Sequence, residues 1–260
     1  MSIATARTKI VAISIKYNGN WNKIYRAICR HEEVEEEFIE KAETLKCETL
    51  TLVDSDYPEH LKNIKDPPIV LYYYGYRNLL LNPFKNISVV GSRDHSEYGG
   101  NVTTDIVSDL AIRGYTIVSG LALGIDSLAH EAAIDAGGKT IAVLPGGIDY
   151  CYPQSHKKLY ELIKKEHVLV SEIPFDTVPE QFSFPIRNRI IAGLSKTLLV
   201  TEAKPLSGSL TTVLLALEGN TDVMCIPHPV GSNSECNRLI MTGAFLVENA
   251  DDVVDQMAKY

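Results

Sequence analysis

From residue 86 onward, short apolar runs alternate with longer stretches of helical periodicity, and no other feature of this chain constrains its fold as tightly. The runs are 87–90, 115–118, 140–144, 168–170, 197–200 and 222–226. The helical stretches are about 99–113, 126–136, 154–165, 185–194, 208–218 and 236–242. Strands that are apolar along their whole length are covered on both faces, which a parallel sheet between two helical layers provides. The reading is an α/β fold: an extended Rossmann-like, doubly wound, mostly parallel sheet.

The first 65 residues differ. Residues 1 to about 50 read as helices, with Trp21, Ile24, Tyr25 and Ile28 on one apolar face. Residues 31–43 hold seven glutamates against one lysine, interleaved with Val34, Phe38 and Ile39. That pattern reads as a solvated helix face. Turn-rich segments at 54–61 and 66–68, the second containing Pro67 and Pro68, mark a connection. A strand at 69–74 follows, from its β-branched and aromatic content. The expected division is therefore a small helical N-terminal domain and linker at 1–65 and a Rossmann-like domain at 66–260.

The formal net charge of −8 argues against a polybasic coat. The acids are uneven: the glutamate block, with Glu248, Asp251, Asp252 and Asp255, holds 11 of the 33. Elsewhere bases outnumber acids, so a local basic groove is compatible with the total. No apolar run reaches the roughly 18 residues of a membrane helix. Met1 to Tyr17 lack the apolar core of a secretory signal. Five scattered cysteines without a C-x-x-C pair argue against a disulfide framework or zinc ribbon and suit a reducing cytosol.

Small residues gather where strands end. Gly91, Ser92 and Arg93 follow the first of these strands. Ser119, Gly120 and Gly124 follow the second, before a helix opened by Asp126. Pro145, Gly146 and Gly147 follow the third. Ser207, Gly208 and Ser209 follow the fifth and open a helix. Ligands of such sheets bind outside the strands' carboxyl ends, and unobstructed amides at a helix start bind anions. Together these loops predict an anion-binding edge.

Two nucleotide motifs fail on context. Residues 133–140 fit a relaxed Walker A pattern, but they end a helix and enter a strand, the reverse of a phosphate loop. No G-x-G-x-x-G follows the first strand; Arg93 stands there and suits a charge-assisted contact to phosphate. No G-x-S-x-G elbow is present, and His130 with Glu131 lacks the second histidine of a zinc helix. Asp126 and His130 read as a helix cap and a structural histidine. No metal-ligand spacing emerges.

Residues 181–195 carry the densest signal. Phe182 and Phe184 precede Pro185, and Arg187, Asn188 and Arg189 fall in the first turns of a helix. Two arginines oppose the dipole at a helix start and need another partner. Either a bound anion holds them, with the phenylalanines stacking on unpaired bases, or they form a buried brace to Asp126 or Glu202. The residues alone leave both open.

Several motifs occur here in a fixed order: Asp66-Pro-Pro-x-Val-Leu-Tyr, Val-Val-Gly-Ser-Arg93, the stretch from Val118 to His130, Tyr152-Pro153, the stretch from Phe184 to Ser195, Glu202-Ala203 with Ser207 to Leu210, and Cys236-Asn-Arg-Leu-Ile240. The ordered set resembles the DNA-processing protein A (DprA/Smf) family from about residue 50 to 247. The resemblance implies a bacterial cytoplasmic protein that binds incoming single-stranded DNA during natural transformation. It would protect the strand and load the RecA recombinase on it. The resemblance further implies no catalysis, no cofactor, no membrane and a homodimer through the Rossmann-like domain.

By position, Gly91, Ser92 and Arg93 would hold phosphates. Gly120, Arg187, Asn188, Arg189 and Ser207, Gly208 and Ser209 would line the same groove. Phe184 would contact a base, and Lys157 and Lys158 would mark the far end. Three departures bear on this groove. Gln154 stands where many members are basic, Ile186 where many have arginine, and Glu235 where glycine is usual. The chain also ends soon after Asp255, short of a C-terminal winged-helix domain that some members add.

The alternative is an enzyme, a Rossmann-like nucleotide-binding hydrolase of the lysine-decarboxylase-like type. That type also places Pro-Gly-Gly after a strand. Here Ile148, Asp149, Tyr150 and Cys151 follow, without the carboxylate its next helix start requires. A third possibility is an interaction scaffold whose anion loops are vestigial.

Overall fold

The computed structural model describes residues 5–259. Nine strands form one sheet: β1 (Glu48–Thr51), β2 (Val70–Gly75), β3 (Asn86–Gly91), β4 (Thr116–Ser119), β5 (Lys139–Val143), β6 (Val168–Ser171), β7 (Thr197–Glu202), β8 (Asp222–Cys225) and β9 (Phe245–Leu246). Their spatial order is β1-β2-β6-β5-β4-β3-β7-β8-β9. β1–β2 and β2–β6 pair antiparallel, and every other pair is parallel.

Three helices precede β1: α1 (Ala6–Lys16), α2 (Trp21–Cys29) and α3 (Glu36–Glu43). Two single-turn helices, α4 (Glu59–Lys62) and α5 (Arg77–Leu80), flank β2. The crossovers are α6 (Glu97–Ile112), α7 (Ile125–Asp135), α8 (Lys157–Glu166), α9 (Ser183–Gly193) and α10 (Gly208–Glu218), and the chain closes with α11 (Cys236–Met241) and α12 (Ala250–Met257).

Alternation along each strand sends neighbours to opposite cores. Val168 and Val170 join Ile190, Ile191 and Val213 beneath α9 and α10. Leu169, between them, joins Val11, Ile24 and Ile163 beneath the N-terminal helices and α8. Ile87 and Val89 pack against Ile106, Ala129 and Val253 of α6, α7 and α12. The apolar runs are continuous because both faces are covered, as the fold class requires.

The stretch read as purely helical contains β1, which extends the sheet through β2. The N-terminal helices pack on the same sheet, and the buried Tyr72 hydroxyl of β2 donates to Ser14 of α1 at 2.9 Å. The glutamate block is solvated, and Lys16 reaches Glu32 at 2.8 Å and Glu35 at 2.9 Å.

His130 is fully buried in α7 and reaches the Thr140 hydroxyl at 2.6 Å. That hydroxyl donates to the Ile117 carbonyl at 2.7 Å, so Nδ1 carries the proton. Nε2 has no partner. Burial, with Arg187 nearby, pulls the imidazole down to about 3 from 6.5. The unfolded chain thus binds a proton that the native state refuses between those values, so stability falls as pH falls through that window. The expected loss is about 1.4 kcal/mol per pH unit below roughly 6.5. Urea unfolding at pH 7 and pH 5 checks this, and His130→Gln should flatten the dependence.

Candidate functional site

Strands β3 and β7 lie side by side at the centre of the sheet, and there the chain order reverses. β4, β5 and β6 extend one way and β8 and β9 the other. Such a switch point opens a crevice at the carboxyl ends of the two strands. An open groove of about 420 Å³ sits there, walled by the loops after β3 and β7 and by the first turns of α9 and α10.

β3 runs out through Gly91, Ser92 and Arg93. Its register against β7 shifts between Val90 and Gly91, and the Ser92 amide then donates to the Glu202 carbonyl at 2.8 Å. A Cβ on Gly91 would come within 2.8 Å of that carbonyl and would also strike Ile125, so only glycine lets the strand end lie this close. Arg93 is exposed, and its guanidinium lies 5.4 Å from the centre of the Phe184 ring. Tyr152 meets the same ring edge-on at 5.3 Å.

On the opposite wall, Ser207 caps α10 in extended conformation, its hydroxyl 2.7 Å from that of Ser209. No heavy atom lies within 4 Å of where a Cβ on Gly208 would sit. The start of this 11-residue helix, the positive end of its dipole, thus borders the groove with no side-chain hydrogen bond from Ser207 capping its amides. Lys204 and Asp94 pair across the rim at 2.7 Å, and that contact lowers the Asp94 carboxyl.

α9 supplies the floor with Phe184, Arg187, Asn188 and Ile191. Arg187 is 5 % exposed and braced from within. It donates to the Gly120 carbonyl at 2.6 Å, to the Val143 carbonyl, and to Asn188 Oδ1 at 3.1 Å. A Cβ on Gly120 would fall 2.6 Å from the guanidinium, so this glycine seats the arginine. Burial pulls Arg187 down to about 10, and nearby Asp126 opposes the fall. The Asp126 carboxyl is itself raised by burial and accepts the Gly120 amide at 3.1 Å. The groove thus offers amides, one exposed arginine with an aromatic beside it, and a second arginine underneath.

Arg189 corrects the sequence reading. It does not line the groove; its Nη2 reaches both oxygens of the buried Glu172 at 2.7 Å. For Arg189 the brace left open by the sequence is the one present, and its acid is Glu172, not Asp126 or Glu202. Glu202 instead accepts from the Ser96 amide and hydroxyl at the start of α6. Nothing local in the sequence marks Glu172, which lies just beyond β6 and meets Arg189 through the tertiary fold.

The loops also separate. Ala122, in the loop after β4, lines the groove. The Pro145–Gly147 turn is covered instead: the Gly147 amide donates to Thr177 and a Cβ there would strike the 175–177 backbone. Lys157 and Lys158 are exposed at the start of α8, outside the groove. Gln154 folds back onto the Cys151 carbonyl at 2.9 Å. Ile186 points away from the groove into a neighbouring cavity. Glu235 donates its amide to Ala203 at 2.6 Å and pairs with Arg238 at 3.5 Å. Asp94 and Lys204 line the groove without having been singled out by motif.

Among the described residues no cluster of three or more histidine, cysteine or acidic side chains is placed to hold a metal. No described helix is long and apolar enough to cross a membrane.

Comparison with known proteins adds to this geometry. The chain is 41 % identical over 227 residues to the DNA processing protein DprA of Streptococcus pneumoniae, covering 86 % of this chain and 79 % of that one. It is 38 % identical over 211 residues to the Bacillus subtilis DprA, covering 80 % and 71 %. The solved Streptococcus pneumoniae DprA structure superimposes with a TM-score of 0.80 at 35 % identity, over 95 % of this chain and 92 % of that one. DNA processing protein A from Helicobacter pylori, whose structure describes its single-stranded DNA binding mode, superimposes with a TM-score of 0.73 at 30 % identity, over 83 % and 97 %. The profile of the family described as DNA recombination-mediator protein A matches residues 48–258. Fold, motif order and profile agree, and the chain belongs to the DNA recombination-mediator protein A (DprA/Smf) family.

Proposed function

We propose that this protein binds single-stranded DNA in the groove between β3 and β7, without catalysis or cofactor, and delivers the strand to a RecA-type recombinase. Phosphates would meet Arg93, the loop of Gly91 and Ser92, and the α10 amides at Ser207, Gly208 and Ser209. Phe184 would stack on a base, and Asn188 would contact the backbone. Gly120 and Arg187 would hold the floor in shape, and Lys157 and Lys158 would receive the strand beyond Tyr152. The observation that carries this reading is the exposed Arg93 guanidinium facing the open start of α10 across a switch-point groove. The Helicobacter pylori relative supports the choice of ligand.

We extend the proposal to a cytosolic homodimer acting in natural transformation. Leu214, Leu217, Met241 and Leu246 are exposed on α10, α11 and the short edge strand β9. An apolar edge of that kind suits burial against a second copy.

The test is binding of labelled poly-dT and of a duplex of equal length at low and moderate salt. The expected result is a preference for the single strand that weakens with salt, because phosphate contacts release counterions. Equal affinity for duplex, or no binding at low salt, would overturn it. Release of base from a nucleoside monophosphate would favour the hydrolase.

A further inference from the structure

A second cavity, about 300 Å³, lies on the far side of α9 from the groove. Leu144, Ile173, Ile190, Trp21 and Phe182 are among the residues that line it, and it shares Arg187 with the groove. Phe182 and Phe184 are two residues apart, and at about 100° per residue they face opposite sides of the helix. One aromatic serves each site.

The two linings differ in charge. The groove presents Arg93, Arg187 and Lys204 against Asp94 and Asp126. The cavity sets Lys23 and Arg187 against Glu172 and Glu180, two charges of each sign. Nothing there favours an anion. Its rim is apolar: Val178, Phe182 and Ile186 are 61 %, 59 % and 48 % exposed. Side-chain amides complete it. The Asn18 carbonyl is taken by the Thr177 hydroxyl at 2.9 Å, which leaves its amide hydrogens to offer, and Asn22 lies beside it. Flat apolar walls with a few amide groups and no net charge match a planar, neutral, hydrogen-bonding ring.

We propose that this cavity accepts a nucleobase, so that a strand whose phosphates occupy the groove turns a base over the first turn of α9 and inserts it between Trp21 and Phe182. This rests on the single-strand reading above. A helix is about 10–12 Å across, which is about three nucleotides at the stacked spacing of ~3.4 Å. Ile186 belongs to this cavity and not to the groove.

Trp21 is the chain's only tryptophan and reports on the cavity directly. The experiment follows Trp21 emission and the anisotropy of an end-labelled strand in one titration, with oligo-dT, an abasic strand of equal length, and free thymidine. Oligo-dT should quench Trp21 in step with the anisotropy. The abasic strand should bind without quenching. Thymidine should quench only at far higher concentration. Ile186→Glu, at an exposed position that the fold tolerates, should abolish the quenching and weaken oligo-dT binding roughly 5- to 150-fold, the range for loss of a base stack. Strand binding with unchanged emission would overturn the cavity and leave the groove intact. No strand binding would overturn the groove reading; quenching by thymidine alone would then replace the strand's base with a free nucleoside, and no quenching would refute the cavity too.

Discussion

Glu172→Ala is expected to destabilise this protein by about 3–5 kcal/mol, because removing one member of a buried ion pair leaves the other charge uncompensated. The pair is enclosed: Arg189 is 8 % and Glu172 8 % exposed. Burial raises the Glu172 carboxyl and the Arg189 guanidinium opposes that rise. The pair is also imperfect, since Arg189 Nη1 has no hydrogen-bond partner. Replacing both partners together, as Glu172→Leu with Arg189→Met, should therefore recover most of the loss. Calorimetry should show Tm falling by roughly 6–20 °C in the single variant. Below the transition it should still bind DNA, because neither partner lines the groove. Unchanged Tm with lost binding would return Arg189 to the groove.

Arg93→Ala is expected to do the opposite, weakening single-strand binding by about 1–3 kcal/mol, the value of a charge-assisted hydrogen bond to phosphate. The side chain is exposed and its described contact is the Phe184 face, so Tm should hardly move. Arg93→Lys should be intermediate, since it keeps the charge but loses the planar fork and its stacking. Arg187→Ala separates the two roles of arginine here. It strips donors from the Gly120 and Val143 carbonyls, so it should lower Tm as well as binding.

The parallel core was legible because its signal is local. Residues 208–218 and 197–200 carry the period of a helix and the apolar run of a buried strand. β1 and β9, with four and two residues, carry no such pattern and exist through their partners. Strand order is likewise absent from one-dimensional pattern, so the loops could be read as anion-ready while the crevice between β3 and β7 could not be placed. Periodicity did contain the answer for Arg187 and Arg189. Two residues apart on one helix, they cannot share a face. The motif grouped them, and the helix sends one beneath the groove and the other to Glu172. The anchors of Arg187 are two backbone carbonyls, which no side-chain motif can announce.

The central claim is that Arg93 meets a phosphate of a single strand at the switch point. The most direct measurement is the salt dependence of poly-dT affinity for the parent and for Arg93→Ala. Each phosphate contact on a single strand contributes about −0.7 to the slope of log K against log salt. In the variant the slope is expected to be shallower by about 0.7, with lower affinity at every salt concentration. An unchanged slope would contradict it.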